Sequence, residues 1–232
     1  YTIDSGNPYL NAQFTDNYEV GYSFKEISLS LNYANVRGMI TQVSRQNDVT
    51  KQIEVQRQNF GKANLYNANL YVPLKITKQW SMQNNFSAVY QEYQDGTLVG
   101  AAYQKSKVSF NFNTSQSIAF SKTFRAELSF WYDSPRIRGV EETTIAQYAL
   151  NLGVQKTMMQ NKLKLRLAVD DVFATNYWEG QMKYQNVDMY IQNYYVSRRA
   201  SFSLNYSFGN QQVKSARNRK TASDDIKGRT GN

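Results

Sequence analysis

The sequence predicts an all-β protein, an antiparallel up-and-down transmembrane β-barrel of about nine strands. Three observations carry that expectation. Apolar and polar residues alternate along most of the chain. Ala200-Ser201-Phe202-Ser203-Leu204-Asn205-Tyr206-Ser207-Phe208 shows this most plainly, with apolar residues at even positions and Ser or Asn at odd ones. A period of two puts each set on its own face of a strand. The polar face carries mainly small uncharged residues. Short and long connections also take turns, short near residues 25, 76, 122 and 159, long near 48, 99, 140 and 180. Short turns at one end and long loops at the other mark an outer-membrane barrel, with the short turns periplasmic. A soluble β-sandwich strand could show the same alternation, but it would bury its aromatic face and dissolve without detergent.

Composition agrees. Only 41% of residues are hydrophobic and the mean hydropathy is −0.64. No run approaches the roughly 18 apolar residues of a membrane helix, and a barrel strand needs just one lipid-facing side. Tyr (18) and Phe (12) are abundant, and Pro (3) is scarce, as in a chain that is mostly strand. With no Cys and no His, disulfides, thiol chemistry and zinc–cysteine sites are excluded. The usual base of Ser-His and Cys-His machinery is missing too. Neither catalysis nor a cofactor is expected.

The chain reads in order as follows. Residues 1–13, with Gly6-Asn7-Pro8, read as a loop. Tyr18 to Phe24 and Ile27 to Tyr33 form a hairpin about Lys25-Glu26. Alternation loosens over Val36–Val43, and Ser44–Lys51 reads as a loop. A third strand builds from Ile53 to Leu74, a fourth carries Trp80 to Tyr90, and a loop runs from Asp95 to Tyr103. Val108 to Phe120 and Phe124 to Tyr132 come next, then a loop marked by Pro135 and Gly139. Tyr148 to Val154 and Leu163 to Val169 follow. A connection rich in Tyr, Trp and Asn spans Asp171 to about Asn193. The last strand ends near Phe208. Lumen-facing positions are expected to include Ser109, Asn111, Asn113, Glu127 and Asn151. The barrel segment is placed at residues 1–209. Residues 210–232 hold Lys214, Arg217, Arg219, Lys220, Lys227 and Arg229 against Asp224 and Asp225. They read as a disordered basic periplasmic tail. Nucleic acid is not an expected partner, because this charge is not an ordered patch interleaved with aromatics.

Nine strands is an odd number, whereas bacterial single-chain barrels are even. Further strands upstream are therefore expected, as is a chain that forms the end of a longer one. Certain motifs also suggest a family. Gly6-Asn7-Pro8-Tyr9-Leu10 followed by Asn17-Tyr18-Glu19-Val20-Gly21-Tyr22 resembles a stretch common in barrels of TonB-dependent outer-membrane receptors. Ser134-Pro135, Asp171-Val172-Phe173-Ala174-Thr175-Asn176, the stretch from Arg198 to Gly209 and the tail Arg217-Asn218-Arg219-Lys220-Thr221 are similar to the end of the Bacteroidetes-type outer membrane protein beta-barrel branch. The sequence departs from that pattern at Ala12-Gln13, where Pro-Glu is usual. The resemblance implies the C-terminal portion of a barrel of about 22 strands with a plugged lumen. It implies uptake of a nutrient or chelate, with an upstream plug domain and the TonB system as partners. A small standalone outer-membrane barrel with an adhesin or structural role is the alternative.

Candidate ligand contacts sit at the predicted outer rim. Trp131, Tyr132, Tyr177 and Trp178, with Tyr194 and Tyr195, could stack on an extracellular ligand or simply form the interfacial aromatic girdle. Arg136, Arg138 and Arg198 could pair with lipopolysaccharide phosphates or remain solvated loop charges. Asp170 and Asp171 are adjacent and so face opposite sides, which favours loop capping over a paired-carboxylate site. Glu141-Glu142-Thr143-Thr144 reads as a polar loop.

Overall fold

The computed structural model describes residues 2–95 and 102–208. In chain order the strands are β1 (Thr2–Ser5), β2 (Phe14–Phe24), β3 (Ile27–Gln46), β4 (Ile53–Lys75), β5 (Trp80–Asp95), β6 (Tyr103–Ala119), β7 (Phe124–Asp133), β8 (Ile137–Arg138), β9 (Glu141–Thr143), β10 (Gln147–Met158), β11 (Leu163–Asp170), β12 (Trp178–Tyr184), β13 (Val187–Asn193) and β14 (Arg199–Tyr206). Strands β2 to β7, β10, β11 and β14 form one antiparallel meander in which each pairs with the next. These nine match the nine that alternation predicts. Among the described residues the meander does not close on itself, since β2 and β14 each pair on one side only.

The register holds the two faces apart. Across β2, β3, β4, β5 and β6, Val20 lies opposite Leu31, Leu31 opposite Ala68, Ala68 opposite Ala88 and Ala88 opposite Phe110. Large side chains on this face stay exposed, including Phe110, Leu167 and Phe202. A bilayer is what would cover so continuous a patch. On β4 the band runs from Tyr66 to Leu74, about 27 Å along the strand at the usual rise per residue. On the other face small polar side chains pair with one another. Asn32 donates to Asn17 at 2.8 Å, Ser87 to Asn67 at 3.1 Å and Asn151 to Ser129 at 3.1 Å. Ser109, Asn111, Asn113, Glu127 and Asn151 all lie on this face, as expected.

Turn chemistry is local. Lys25 has φ 55° and, with Glu26, closes the two-residue turn between the paired Phe24 and Ile27. A hairpin this tight needs a positive φ.

The long-loop end differs from the sequence reading in four places. Residues 1–13 are not all loop: β1 pairs in parallel with the upper part of β4, Thr2 opposite Ile53. Asn7 then donates to the Arg57 carbonyl, and Asn59 both accepts from the Asn11 amide and donates to its carbonyl. The Asn-Pro segment is thereby fixed along β4. Ser44–Gln46, read as loop, continue β3 opposite Ile53–Val55. The long connections near 140 and 180 contain β8, β9, β12 and β13, which build a second sheet in the order β13-β12-β9-β8. Polar residues on short strands gave no periodicity long enough to read over β8 and β9. The expected tail at 210–232 lies outside the described residues.

The core sits where the second sheet meets the tall ends of β3 to β6. Phe60 and Ile137 are fully buried there, packed with Val43, Tyr93, Val140, Tyr184 and Val187. The ring of Phe60 meets Tyr93 and Tyr103 edge-on, at 6.2 and 5.5 Å between centroids. Gly38 in β3 has φ +59°, and a Cβ there would lie 3.2 Å from the Ala12 carbonyl oxygen. Glycine is strongly favoured at this break, which separates the regular band from the cap.

Candidate functional site

The second sheet stands on the long-loop end of the wall and is fastened at three points. The first is Glu142 in β9. Lys107 donates to its carboxylate at 2.6 Å, Lys105 also pairs with it, and Gln181 of β12 donates at 3.3 Å. Lys105 and Lys107 are two apart on β6 and so share a face. Burial pushes the Glu142 carboxyl upward, but the hydrogen bonds from Lys105, Lys107 and Gln181 outweigh it and hold the group at about 2. The second point is Tyr184. Its hydroxyl accepts from the Ser44 amide at 2.7 Å and donates to the Ser44 carbonyl. The third is Asn186, which donates to the Gln46 carbonyl and the Asp48 carboxylate. Burial, with Glu142 nearby, raises Tyr103 to about 12, and its hydroxyl donates to the Gly139 carbonyl at 3.1 Å.

The aromatic side of this sheet is also ordered. Glu179 accepts from Tyr190, from Gln192 at 3.1 Å and from Tyr194 at 3.1 Å. These bonds, Tyr190 first, hold its carboxyl low despite some burial. Tyr194 stacks on Tyr177 at 5.3 Å, and Tyr195 donates to Asn176. Trp178 donates from Nε1 to the Thr143 hydroxyl at 3.2 Å and lies over Gly180, where a Cβ would come within 2.4 Å of the indole. At the base of the loop Asp171 caps the turn. It accepts from the amides of Thr175 and Asn176 and from the Thr175 and Ser197 hydroxyls. This is the capping role its sequence suggests.

The candidates named from sequence do not form one rim. Trp131 and Tyr132 split across the sheet. Trp131 faces the polar wall, opposite Asn113 and Ala149, while Tyr132 lies on the apolar face opposite Phe112 and Tyr148. Arg136 is paired with Asp133 at 3.4 Å. Arg138 is exposed in β8, opposite Glu141. Arg138 and Trp178 belong to the second sheet but not to one cluster, since Arg138 is level with Glu141 and Met182, four residues along β12 from Trp178. Reading Glu141-Glu142 as a polar loop missed both a strand and the ion-pair centre. The hairpin β12–β13 falls in a stretch read as a connection, although a signal for it was present: Trp178, Gly180, Met182 and Tyr184 alternate, and so do Val187, Met189 and Ile191.

Two hollows open near these residues. One, of 420 Å³, lies between the sheets beside Tyr103, Lys105, Gln181 and Lys183. The other, of 590 Å³, lies on the polar wall among Tyr71, Gln83, Asn85, Asn113, Ser129 and Trp131. Its rim offers amide and hydroxyl donors and acceptors and two aromatic rings, with no formal charge. Such a surface suits a hydrated or neutral polar solute. Among the described residues no cluster of acidic side chains could hold a metal ion.

The Outer membrane protein beta-barrel family matches residues 1–206. The chain belongs to that family. Its fold is accordingly an outer-membrane β-barrel and its location the outer membrane. Among solved structures it is similar to the outer membrane transporter YddB from Escherichia coli, at 14% identity and a TM-score of 0.45, over 88% of this chain and 33% of that one. The chain thus spans about a third of that transporter. No match is found among curated proteins.

Proposed function

We propose that the chain forms the C-terminal wall of a TonB-dependent-type outer-membrane receptor that imports a nutrient or chelate. The carrying observation is the nine-stranded sheet with one greasy face, one hydrogen-bonded polar face and, among the described residues, an unpaired edge on β2 and on β14. Lipid-exposed sheet edges do not persist in a bilayer, so both edges call for further strands and a wider lumen. The match of the Gly6-Asn7-Pro8 and Asn17-Tyr18-Glu19 stretches to such receptors supports the same reading. The wall's role is not catalytic. The polar hollow beside Trp131 lines the solute path, the second sheet shapes its mouth, and the basic end of the chain faces the periplasm. Lipopolysaccharide surrounds the outer rim. A plug domain and the TonB system gate and energise transport. The test is the size of the native polypeptide in outer-membrane fractions, blotted with an antibody to Arg217–Arg229. A band several times heavier than 26.8 kDa is expected. A band near 26.8 kDa would overturn the receptor and leave a small envelope barrel.

A further inference from the structure

The apolar face of β2 to β6 is layered. Low on it is a pit: Ala68 and Ala88 lie directly opposite each other, flanked by Leu31 and Phe110, and Leu70 opposite Phe86 closes the floor below. Neighbouring strands are about 4.8 Å apart, so the two facing alanines leave a depression about one hydrocarbon chain wide among the larger side chains around it. The hollow above them measures 860 Å³. Next along the same face is a row of rings, Tyr18, Tyr33, Tyr66 and Tyr90, in register and in contact at 6.2, 4.7 and 5.9 Å. Above that is a polar row. Tyr33 and Asn35 donate to the Asn64 carbonyl at 3.1 and 2.8 Å, and Asn64 donates to Glu92 at 3.3 Å. Highest are Arg37 and Lys62, opposite each other in β3 and β4. Arg37 also pairs with Asp16 at 3.0 Å. No ion pair of Lys62 occurs among the described residues.

Hydrocarbon, ring, amide and cation thus follow one another in the order of a phosphorylated lipid's own parts. The geometry points to a binding site for one phosphorylated saccharolipid of the outer leaflet. An acyl chain packs over the Ala68–Ala88 pit, its sugar lies against the tyrosine and asparagine rows, and its phosphate sits on Lys62 and Arg37. Amphipathic tyrosines and an interfacial cation are the groups such a lipid meets best. The second hollow on the same face, 720 Å³ around Ala126, Leu152, Leu167 and Ala200, also has rings above it, Phe130, Tyr132 and Tyr148, but no facing pair of cations among the described residues, and serves as an internal control for the Lys62–Arg37 pair. The site rests on the outer-membrane placement of this face.

Native mass spectrometry of the full-length protein in detergent, mixed with diphosphorylated lipid A or its dephosphorylated form, tests the site. A one-to-one adduct with the diphosphorylated lipid is expected. Occupancy should fall about fivefold for each of Lys62→Gln and Arg37→Gln, the worth of one interfacial cation. Ala68→Phe should abolish it and Ala126→Phe should leave it intact. All variants must show the heat-sensitive gel mobility of a folded barrel. Lys62→Gln leaves the sheet untouched, so a folding defect in Ala68→Phe does not decide the matter. An adduct unchanged in Lys62→Gln and Arg37→Gln, or equal for the two lipids, overturns the site alone. Failure of the unmodified protein to float with lipid vesicles overturns the membrane placement as well.

Discussion

In the membrane band the large apolar side chains point away from the protein: Val20 is 70% exposed and Phe202 62%. In the outer cap they point inward, and Phe60 and Ile137 are 0% exposed. The band draws its stability from the bilayer around it, with backbone pairing and a polar inner face. The cap has a conventional core, a desolvated carboxylate with two lysines and tyrosines that hydrogen-bond to backbone. One chain therefore crosses between two solvents, and the break falls near Gly38. The two regions should fail separately.

The largest effect is expected from Phe60→Ala. Emptying a fully buried aromatic site costs about 3–5 kcal/mol, all of it in the cap. Hydrogen exchange should quicken in β8, β9, β12 and β13 while β7 and β10 stay protected. Equal loosening of β7 and β10 would mean that cap and band unfold as one unit. A charge on the band is next. Leu204→Arg should cost about 2–4 kcal/mol at mid-bilayer, while Ser203→Arg, on the inner face, should be tolerated. Folded protein recovered from the outer membrane measures this, and equal yields for the two would reverse the face assignment.

The same contrast explains what could be read in advance. In the band each strand has one lipid side and one wet side, so a period of two is written along it, and all nine strands were legible from residues such as Phe202, Leu204 and Tyr206. In the cap, burial comes from both sides and from distant segments. Val43 and Ser44 are adjacent and both buried, which no alternation announces. Glu142 meets Lys105 and Lys107 only because two loops fold over β6, a pairing that no local spacing encodes. Trp131 and Tyr132 had the right residue types for an aromatic rim, but adjacent strand positions must face apart. That rule, applied to Asp170 and Asp171, would have separated them as well.

Acid should open the cap before the band. The Glu142 carboxyl sits at about 2 in the folded protein against an ordinary 4.5. Its contribution is therefore complete above about pH 4.5 and fades as pH falls toward 2. Exchange at β9, corrected for the intrinsic rate, should rise across that window while β10 does not change. Glu142→Gln should flatten this dependence and, at neutral pH, loosen the cap by about 2 kcal/mol, the usual scale of a hydrogen bond to a charged group. An unchanged pH profile in Glu142→Gln would move the acid sensitivity to another carboxylate.

The smallest effect concerns the inner face. Arg166 and Glu127 pair at 3.3 Å with side chains 46% and 39% exposed, and a Cβ at Gly153 would lie 3.5 Å from the Arg166 guanidinium. A pair this wet is worth about 0–1 kcal/mol and weakens in salt. A double-mutant cycle of Arg166→Gln and Glu127→Gln, read by unfolding of the full-length protein in vesicles, should give a coupling in that range. A larger, salt-insensitive coupling would require the pair to be shielded from water. On this open face, shielding can come only from protein seated against the wall. The weakest ion pair of the comparison therefore reports whether the lumen holds solvent or a plug.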